Sequence, residues 1–156
     1  MDRPTVYIET SIVSYLASRP SRDPVTLRNQ QLTHAWWNTR RPDYALFTSK
    51  FVIDEAADGD PVIAQRRVTL LTSIPLLASE GTVAEELAQA LVRGVPLPPR
   101  AFADAMHIAL ASVRGMAYLL TWNCKHIANP RLQTRMARIT AAWGFTIPAL
   151  RTPAEL

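Results

Sequence analysis

Short apolar runs recur along the chain and are separated by longer polar or mixed segments. Runs of this kind, bounded by turn residues, are typical of buried β-strands. The run at 74–78 carries a proline near its start, which favours a position at the edge of a sheet. The predicted strands are residues 5–8, 44–48, 74–78, 117–121 and 145–150.

Between these runs the apolar residues are spaced three and four positions apart, which predicts helices. In the segment 99–114, Phe102, Ala105, Ala109 and Val113 share one helical face, and Pro99 suits the first turn. The predicted helices are 11–17, 25–40, one that begins at 50 and breaks at the turn 59–61, 62–72, 81–93, 99–114 and 131–143.

Strands and helices alternate along the whole chain, which favours a parallel sheet with helices on both faces. We therefore expect an α/β fold with three layers, α/β/α, and a central sheet of four to five strands. No repeat, low-complexity tract or interdomain linker interrupts residues 1–156. A chain of 156 residues can bury a substantial core, so we expect one domain.

Composition places the chain among globular proteins, with 48% hydrophobic and 19% charged residues. No apolar run approaches the roughly 20 residues that cross a bilayer, so we expect no membrane partner. The start, MDRPTVYIE, lacks the basic and long apolar regions of a secretory signal. Cys124 is the single cysteine, which excludes an internal disulfide, and we expect a cytoplasmic protein.

Charge is distributed unevenly around a net value of +4. Residues 1–104 carry 11 Lys or Arg and 12 Asp or Glu, whereas residues 105–156 carry 6 basic residues and one acid. Arg131, Arg135 and Arg138 share one face of a predicted helix. Such a face suits a phosphate backbone, although a solvated helix in a basic protein has the same pattern.

Four polar residues lie where predicted strands meet predicted helices. Glu9 and Asn123 follow strands, Glu55 lies in the helix after the second strand, and Asp104 lies in the helix before 117–121. In a parallel sheet, strand ends and helix starts can meet at one edge, where ligands bind. Clustered carboxylates are costly without a cation, and hard oxygen ligands select Mg²⁺ or Mn²⁺.

Two of these four residues also have a simpler interpretation. Glu9 can lie beside a helix end that Thr10 or Ser11 caps. Asp104 can cap or face solvent, and His107, one turn later, is the kind of helix histidine that is more often structural than catalytic.

A zinc site is disfavoured, because Cys124 and His126 have no second Cys/His pair. Asp58 and Asp60 lie close to Glu55 in the sequence, but they suit a turn.

Four segments together resemble the PIN-domain ribonucleases, specifically the VapC-like toxins of prokaryotic toxin–antitoxin pairs. They are YIETSIVSYL, DEAADGDP, ADAMHIALA and LLTWNCKHIANP, which occur in the expected order through nearly the whole chain. The resemblance implies a Mg²⁺- or Mn²⁺-dependent endoribonuclease that hydrolyses RNA phosphodiester bonds. It also implies a cognate antitoxin and a homodimer. Trp36 and Trp37, adjacent on a predicted helix, fit a homodimer if at least one is exposed; alternatively, Trp36 lies in the core and Trp37 covers a neighbouring loop.

The resemblance also assigns roles to residues. Metal ligands would be Glu9, Glu55 and Asp104, with Asn123 at the fourth catalytic position, where it would orient a water or ligate weakly. The supporting hydroxyls would be Thr10, Ser11 and Thr121; the RNA-binding residues would be Lys125, Arg131, Arg135 and Arg138.

Two departures from the family pattern leave an alternative open. The first acid is usually Asp but here is Glu9, and the fourth is commonly Asp but here is Asn123, which removes one negative charge. A non-catalytic RNA-binding or scaffold module with a degenerate metal site is therefore the alternative function. A small-molecule phosphohydrolase would be expected to offer an aspartate nucleophile after the first strand, which YIETS does not.

Overall fold

The computed structural model describes residues 2–156. Its centre is a four-stranded, all-parallel sheet in the order β2-β1-β3-β4, flanked by helices. The predicted α/β architecture with a parallel sheet is therefore confirmed. The strands are β1 (Thr5–Ile8), β2 (Ala45–Phe47), β3 (Tyr118–Leu120) and β4 (Ala149–Arg151). The helices are α1 (Thr10–Ala17), α2 (Pro24–Thr39), α3 (Lys50–Ala56), α4 (Pro61–Leu71), α5 (Ala84–Gly94), α6 (Phe102–Val113) and α7 (Pro130–Ala142).

Strand β1 lies in the middle of the sheet and is buried. Val6, Tyr7 and Ile8 have no exposed surface, and β1 pairs in parallel with β2 on one side and β3 on the other. Helix α6 is almost as deeply buried, from Ala105 to Ser112. A parallel sheet of this kind is covered on both faces, which explains why its strands read as continuous apolar runs rather than alternating ones.

Short polar residues start most of the helices. The side chains of Asp23, Ser49, Asp60 and Asn129 accept backbone N–H groups at the starts of α2, α3, α4 and α7. A proline follows three of these caps, where its missing N–H is not needed. These local signals fix where each of these four helices begins.

Two predicted strands differ from the observed ones by more than one residue at an end, and both differences involve proline. Segment 74–78 forms a single parallel bridge, Thr48 with Leu76, instead of a strand. Pro75 has no N–H to donate to a ladder, so only its carbonyl is used, by the Thr48 amide. The last strand begins at Ala149 rather than at 145, directly after Pro148.

A third difference lies at the start of α6. The predicted helix 99–114 begins as a 3₁₀ turn, Pro99–Ala101, and the α-helix starts at Phe102. Pro99 suits a first turn, but the preceding Pro98 holds an extended backbone, so the chain enters the helix through the tighter turn.

Trp36 and Trp37 are both buried, so the expectation that at least one is exposed is wrong. Trp36 stacks on Tyr44 with ring centroids 5.7 Å apart, and the Arg41 guanidinium lies 4.5 Å from the centre of the Trp37 ring. The pair therefore packs against the segment 41–44, which leads into β2. Among residues 2–156, no helix is both long and apolar enough to cross a membrane.

Candidate active site

Glu9 lies at the carboxyl end of β1 and is 5% exposed. Its Oε1 accepts hydrogen bonds from the hydroxyls of Ser11 and Thr121, both at 2.5 Å, and its Oε2 accepts the Ser11 amide at 3.2 Å. Glu9 is itself the N-cap of α1, so the prediction that Thr10 or Ser11 caps this helix is wrong. The long Glu side chain folds back onto its own helix start, and a hydroxyl from β3's end completes the contact.

Glu55 lies near the end of α3 with a side chain that is 38% exposed. Its Oε1 accepts from Thr10 Oγ1 at 2.7 Å and lies 2.6 Å from His107 Nε2. Partial burial acts to raise the pKa of the Glu55 carboxyl, but the hydrogen bond and charge of His107 and the Thr10 hydroxyl outweigh it and lower that pKa. Glu55 is therefore an ionised carboxylate near neutral pH.

His107 is fully buried on α6, and it contacts the candidate site through Glu55. Its Nδ1 lies 2.7 Å from the Tyr7 hydroxyl, which lies 2.7 Å from Ser49 Oγ. Burial acts to lower the pKa of His107, but the hydrogen bond to Glu55 and the charges of Glu9, Glu55 and Asp104 raise it overall. The charges of all three predicted metal-binding carboxylates thus act in the direction that raises the pKa of His107, and Glu55 is the one that contacts its ring.

Asp104 lies in the first turn of α6, and its side chain is 21% exposed. Its Oδ2 is 2.8 Å from Nδ1 of His126, in the loop after β3. The amide of His126 donates to Asn123 Oδ1 at 3.0 Å, and the amide of Asn123 donates to Thr121 Oγ1 at 2.9 Å. The Asn123 carbonyl oxygen therefore shapes the loop that presents His126 to Asp104.

The contact of His126 with Asp104 is not predicted by the sequence pattern. The signal was the spacing of Asn123 and His126, because an Asn oxygen that accepts the amide three residues later forms a tight local turn. The 22-residue separation between His126 and Asp104 gave no comparable signal.

The predicted hydroxyl residues all contact the acidic side chains or their loop. Thr10 donates to Glu55, while Ser11 and Thr121 donate to Glu9. Ser11 Oγ also accepts the amide of Trp122 at 2.8 Å, which ties β3's end to α1. Asp58 and Asp60 instead serve the turn before α4, where Asp58 accepts the Gly59 amide and Asp60 caps the helix.

The predicted RNA-binding residues are exposed, and they lie in the loop after β3 and on α7. Lys125 is exposed in the loop that contains Asn123 and His126, and the three arginines are exposed on α7. None of the four makes an ion pair within the part of the chain that the structure describes. Their charge is thus available to an anionic ligand. The three arginines are Arg131, Arg135 and Arg138.

The donor chemistry fits a hard divalent cation, although the side chains do not form a closed cluster. Within residues 2–156, no three His, Cys, Asp or Glu side chains are grouped closely enough to share a metal ion. Mg²⁺ keeps several waters and usually takes one or two protein carboxylates. Oε2 of Glu55 and Oδ1 of Asp104 accept no hydrogen bond from the described residues, so each carboxylate retains an oxygen for such a role.

Comparisons with known proteins identify the fold. No protein-family model matches the chain, and no curated protein matches its sequence. VapC20 of Mycobacterium tuberculosis, described as a toxin that cleaves the sarcin–ricin loop, has 16% identity and a TM-score of 0.56 over 90% of this chain and 96% of that one. VapBC2 of Rickettsia felis, crystallised with a DNA fragment of its promoter, has 12% identity and a TM-score of 0.59 over 95% of this chain and 98% of that one. The predicted PIN-like fold is confirmed.

Proposed function

We propose that this chain, which has the PIN-like fold of the VapC toxins, is a metal-dependent endoribonuclease that acts as the toxin of a toxin–antitoxin pair. The observation that carries the proposal is the hydrogen bonding that links the elements bearing the acids at the carboxyl edge of a parallel sheet. Glu9 accepts from Thr121 after β3, and Glu55 accepts from Thr10, next to Glu9, and contacts His107 on the helix that carries Asp104. This is the edge where α/β proteins bind ligands. The fold shared with VapC20 and VapBC2 supports the same function.

The three carboxylates would have different tasks at this edge. Glu55 and Asp104 would hold a Mg²⁺ or Mn²⁺ ion through the oxygens that bind no protein donor. Glu9, which is buried and accepts hydrogen bonds at both oxygens, would add negative charge close to the ion. A bound divalent ion would polarise the scissile phosphate and lower the pKa of a bound water.

The remaining residues would position the substrate and the loop. Asn123 would hold His126 against Asp104 and so keep the loop after β3 close to the site. Lys125 and the α7 arginines would contact the phosphate backbone of RNA, which gives affinity without reading the bases. The hydroxyls of Thr10, Ser11 and Thr121 would keep the carboxylates in place.

Partners are proposed on the same basis. The VapBC2 neighbour is an assembly bound to promoter DNA, which supports a cognate antitoxin for this chain as well. A homodimer is also proposed, and with both tryptophans buried it rests on the resemblance to the family alone.

RNA cleavage by the purified protein tests the proposal. We expect cleavage of a labelled single-stranded RNA in Mg²⁺, none in EDTA, and a loss of at least about 100-fold in Asp104→Asn, which keeps the shape of the side chain but removes its charge. Asp43→Asn is the matched control, since Asp43 precedes β2 at the opposite end of the sheet and should leave cleavage unchanged. Cleavage that persists in EDTA or in Asp104→Asn would overturn the proposal.

One observation favours a second candidate, a non-catalytic RNA-binding or scaffold module. Each of the three carboxylates already accepts a hydrogen bond from the protein, and the described residues contain no closed metal cluster. Such a module would bind RNA with a strong dependence on salt but with no response to EDTA. Metal-dependent cleavage by the pure protein would rule it out.

A further inference from the structure

A chain of hydrogen bonds runs from the core of the protein to the candidate active site. Ser49 Oγ lies 2.7 Å from the Tyr7 hydroxyl, which lies 2.7 Å from His107 Nδ1, and His107 Nε2 lies 2.6 Å from Glu55 Oε1. Thr10 closes the chain by donating to the same Glu55 oxygen at 2.7 Å. These residues belong to β1, α1, α3 with its cap, and α6, so the chain joins four elements at one carboxylate.

The chemistry of the groups fixes the direction of the last bond. An ionised carboxylate only accepts, so Nε2 of His107 must carry a proton and donate to Glu55. In the neutral ring, Nδ1 then accepts from the Tyr7 hydroxyl, which accepts from Ser49. In the charged ring both nitrogens donate, and the bond to Glu55 is the same. Glu55 is therefore held by His107 in either protonation state.

Burying three polar side chains costs desolvation free energy that apolar side chains of similar size would not cost. His107, Tyr7 and Ser49 are 0% exposed, and an apolar side chain in the middle of α6 would need no hydrogen-bond partners there. Instead, Ser49, Tyr7 and His107 are hydrogen-bonded in series. The series ends at Glu55, the most exposed of the three carboxylates for which this edge is proposed as a metal site. What the chain accomplishes is to fix Oε1 of Glu55 and leave Oε2 without a protein donor.

We propose that His107 is a positioning residue that orients the Glu55 carboxylate for a divalent cation, and that Tyr7 fixes the orientation of the His107 ring. The proposal rests on the proposed function, because it concerns the same acidic edge. Removing a group that orients a metal-ligating side chain typically lowers metal affinity by about 10–100-fold. His107 thus acts through Glu55 and need not touch substrate.

Calorimetric titration of Mn²⁺ into three variants tests the proposal. His107→Gln keeps an N–H donor at about the reach of Nε2, and we expect Mn²⁺ affinity within about threefold of the wild type. His107→Leu has a similar size but no donor, and we expect affinity to fall by about tenfold or more. Tyr7→Phe keeps the volume of the core and removes only the hydroxyl, and we expect an intermediate loss.

Ser112→Ala is the control for a general disturbance of α6. Ser112 is buried on the same helix but donates only to the Ile108 carbonyl, so its loss should leave Mn²⁺ affinity unchanged. In RNA cleavage at saturating substrate, His107→Leu should lower kcat while KM for RNA stays within about twofold, and His107→Gln should restore kcat.

The outcomes separate the two proposals. A wild type that binds no Mn²⁺ overturns the proposed function, and with it the role of His107. A wild type that binds Mn²⁺, with equal affinity in folded His107→Leu, overturns the positioning role alone. If His107→Leu does not fold, Tyr7→Phe decides in the same way, since unchanged Mn²⁺ affinity in that variant contradicts the proposal.

Discussion

Nδ1 of His126 lies 2.8 Å from Oδ2 of Asp104, and this contact joins the loop after β3 to the first turn of α6. Both side chains are mostly buried, at 15% and 21% exposure. A carboxylate in the opening turn of a helix is also stabilised by the helix dipole. The pair therefore fixes the loop and the carboxylate together.

A double-mutant cycle on this pair measures how strongly the two residues are coupled. We expect a coupling free energy of about 1–2 kcal/mol from urea denaturation of His126→Ala, Asp104→Ala and the double variant. A hydrogen bond to a charged and mostly buried partner is worth about this much. Additive effects, with a coupling below about 0.3 kcal/mol, would mean that the contact does not stabilise the loop.

Asn123→Asp should strengthen metal binding. The oxygen that accepts the His126 amide is kept, while one negative charge is added next to the acidic edge. We expect Mn²⁺ affinity in calorimetry to rise about tenfold, equivalent to about 1.4 kcal/mol. Asn129→Asp adds the same charge at the N-cap of α7 and serves as the control, with affinity within about twofold of the wild type. Equal changes in the two variants would show that only net charge matters.

The arginine face of α7 should determine how RNA binding depends on salt. Each phosphate contact to a single strand contributes about 0.7 to the slope of log K against log salt. Replacing all three α7 arginines with Gln in an Asp104→Asn background should therefore lower that slope by about 2. The charge-matched control replaces Arg22, Arg28 and Arg40, which are exposed outside α7. A slope that both triple variants lower equally would remove α7 from the RNA-binding surface. The α7 residues are Arg131, Arg135 and Arg138.

Asp23 should make the stability of the protein depend on pH at the start of α2. The Thr26 amide and hydroxyl both donate to Asp23 Oδ2 at 2.8 Å, and these bonds lower the pKa of Asp23 from its ordinary value of 3.8. Because the folded pKa is the lower one, the stabilisation is complete above about pH 4 and is lost as the pH falls through the folded value.

Asp23→Asn isolates this effect, because Asn caps a helix equally well and does not titrate. In thermal melts between pH 7 and pH 3, we expect the Tm of the wild type to fall further than the Tm of Asp23→Asn. A difference between the two Tm values that stays constant across this pH range would contradict the assignment.

Much of the fold could be predicted because its signals are local. The apolar runs of a buried parallel sheet need no partner to be recognised, and Asp23-Pro24, Asp60-Pro61 and Asn129-Pro130 mark helix starts by cap and fixed φ. The prediction of a strand at 74–78 was wrong, because strand pairing depends on the backbone donors available on both segments as well as on apolar content. Beside Pro75, the edge of β2 forms a single bridge.

The candidate site could be predicted only in part. The positions of Glu9 and Asn123 after strands follow from strand ends, which the sequence marks clearly. The contacts that organise the acids join distant positions, such as Glu55 and His107, which are 52 residues apart, or Glu9 and Thr121, which are 112 apart. Such pairs depend on how α3, α6 and β3 are placed across the sheet, and no local spacing encodes that placement.

Titration of Mn²⁺ into the wild type and into Asp104→Asn, followed by calorimetry, tests the central claim most directly. We predict saturable binding to the wild type and an affinity at least about tenfold weaker in the variant, which loses one ligating charge. Equal binding to the two proteins, or no binding to the wild type, would contradict the claim that the carboxyl edge of this sheet is a metal site.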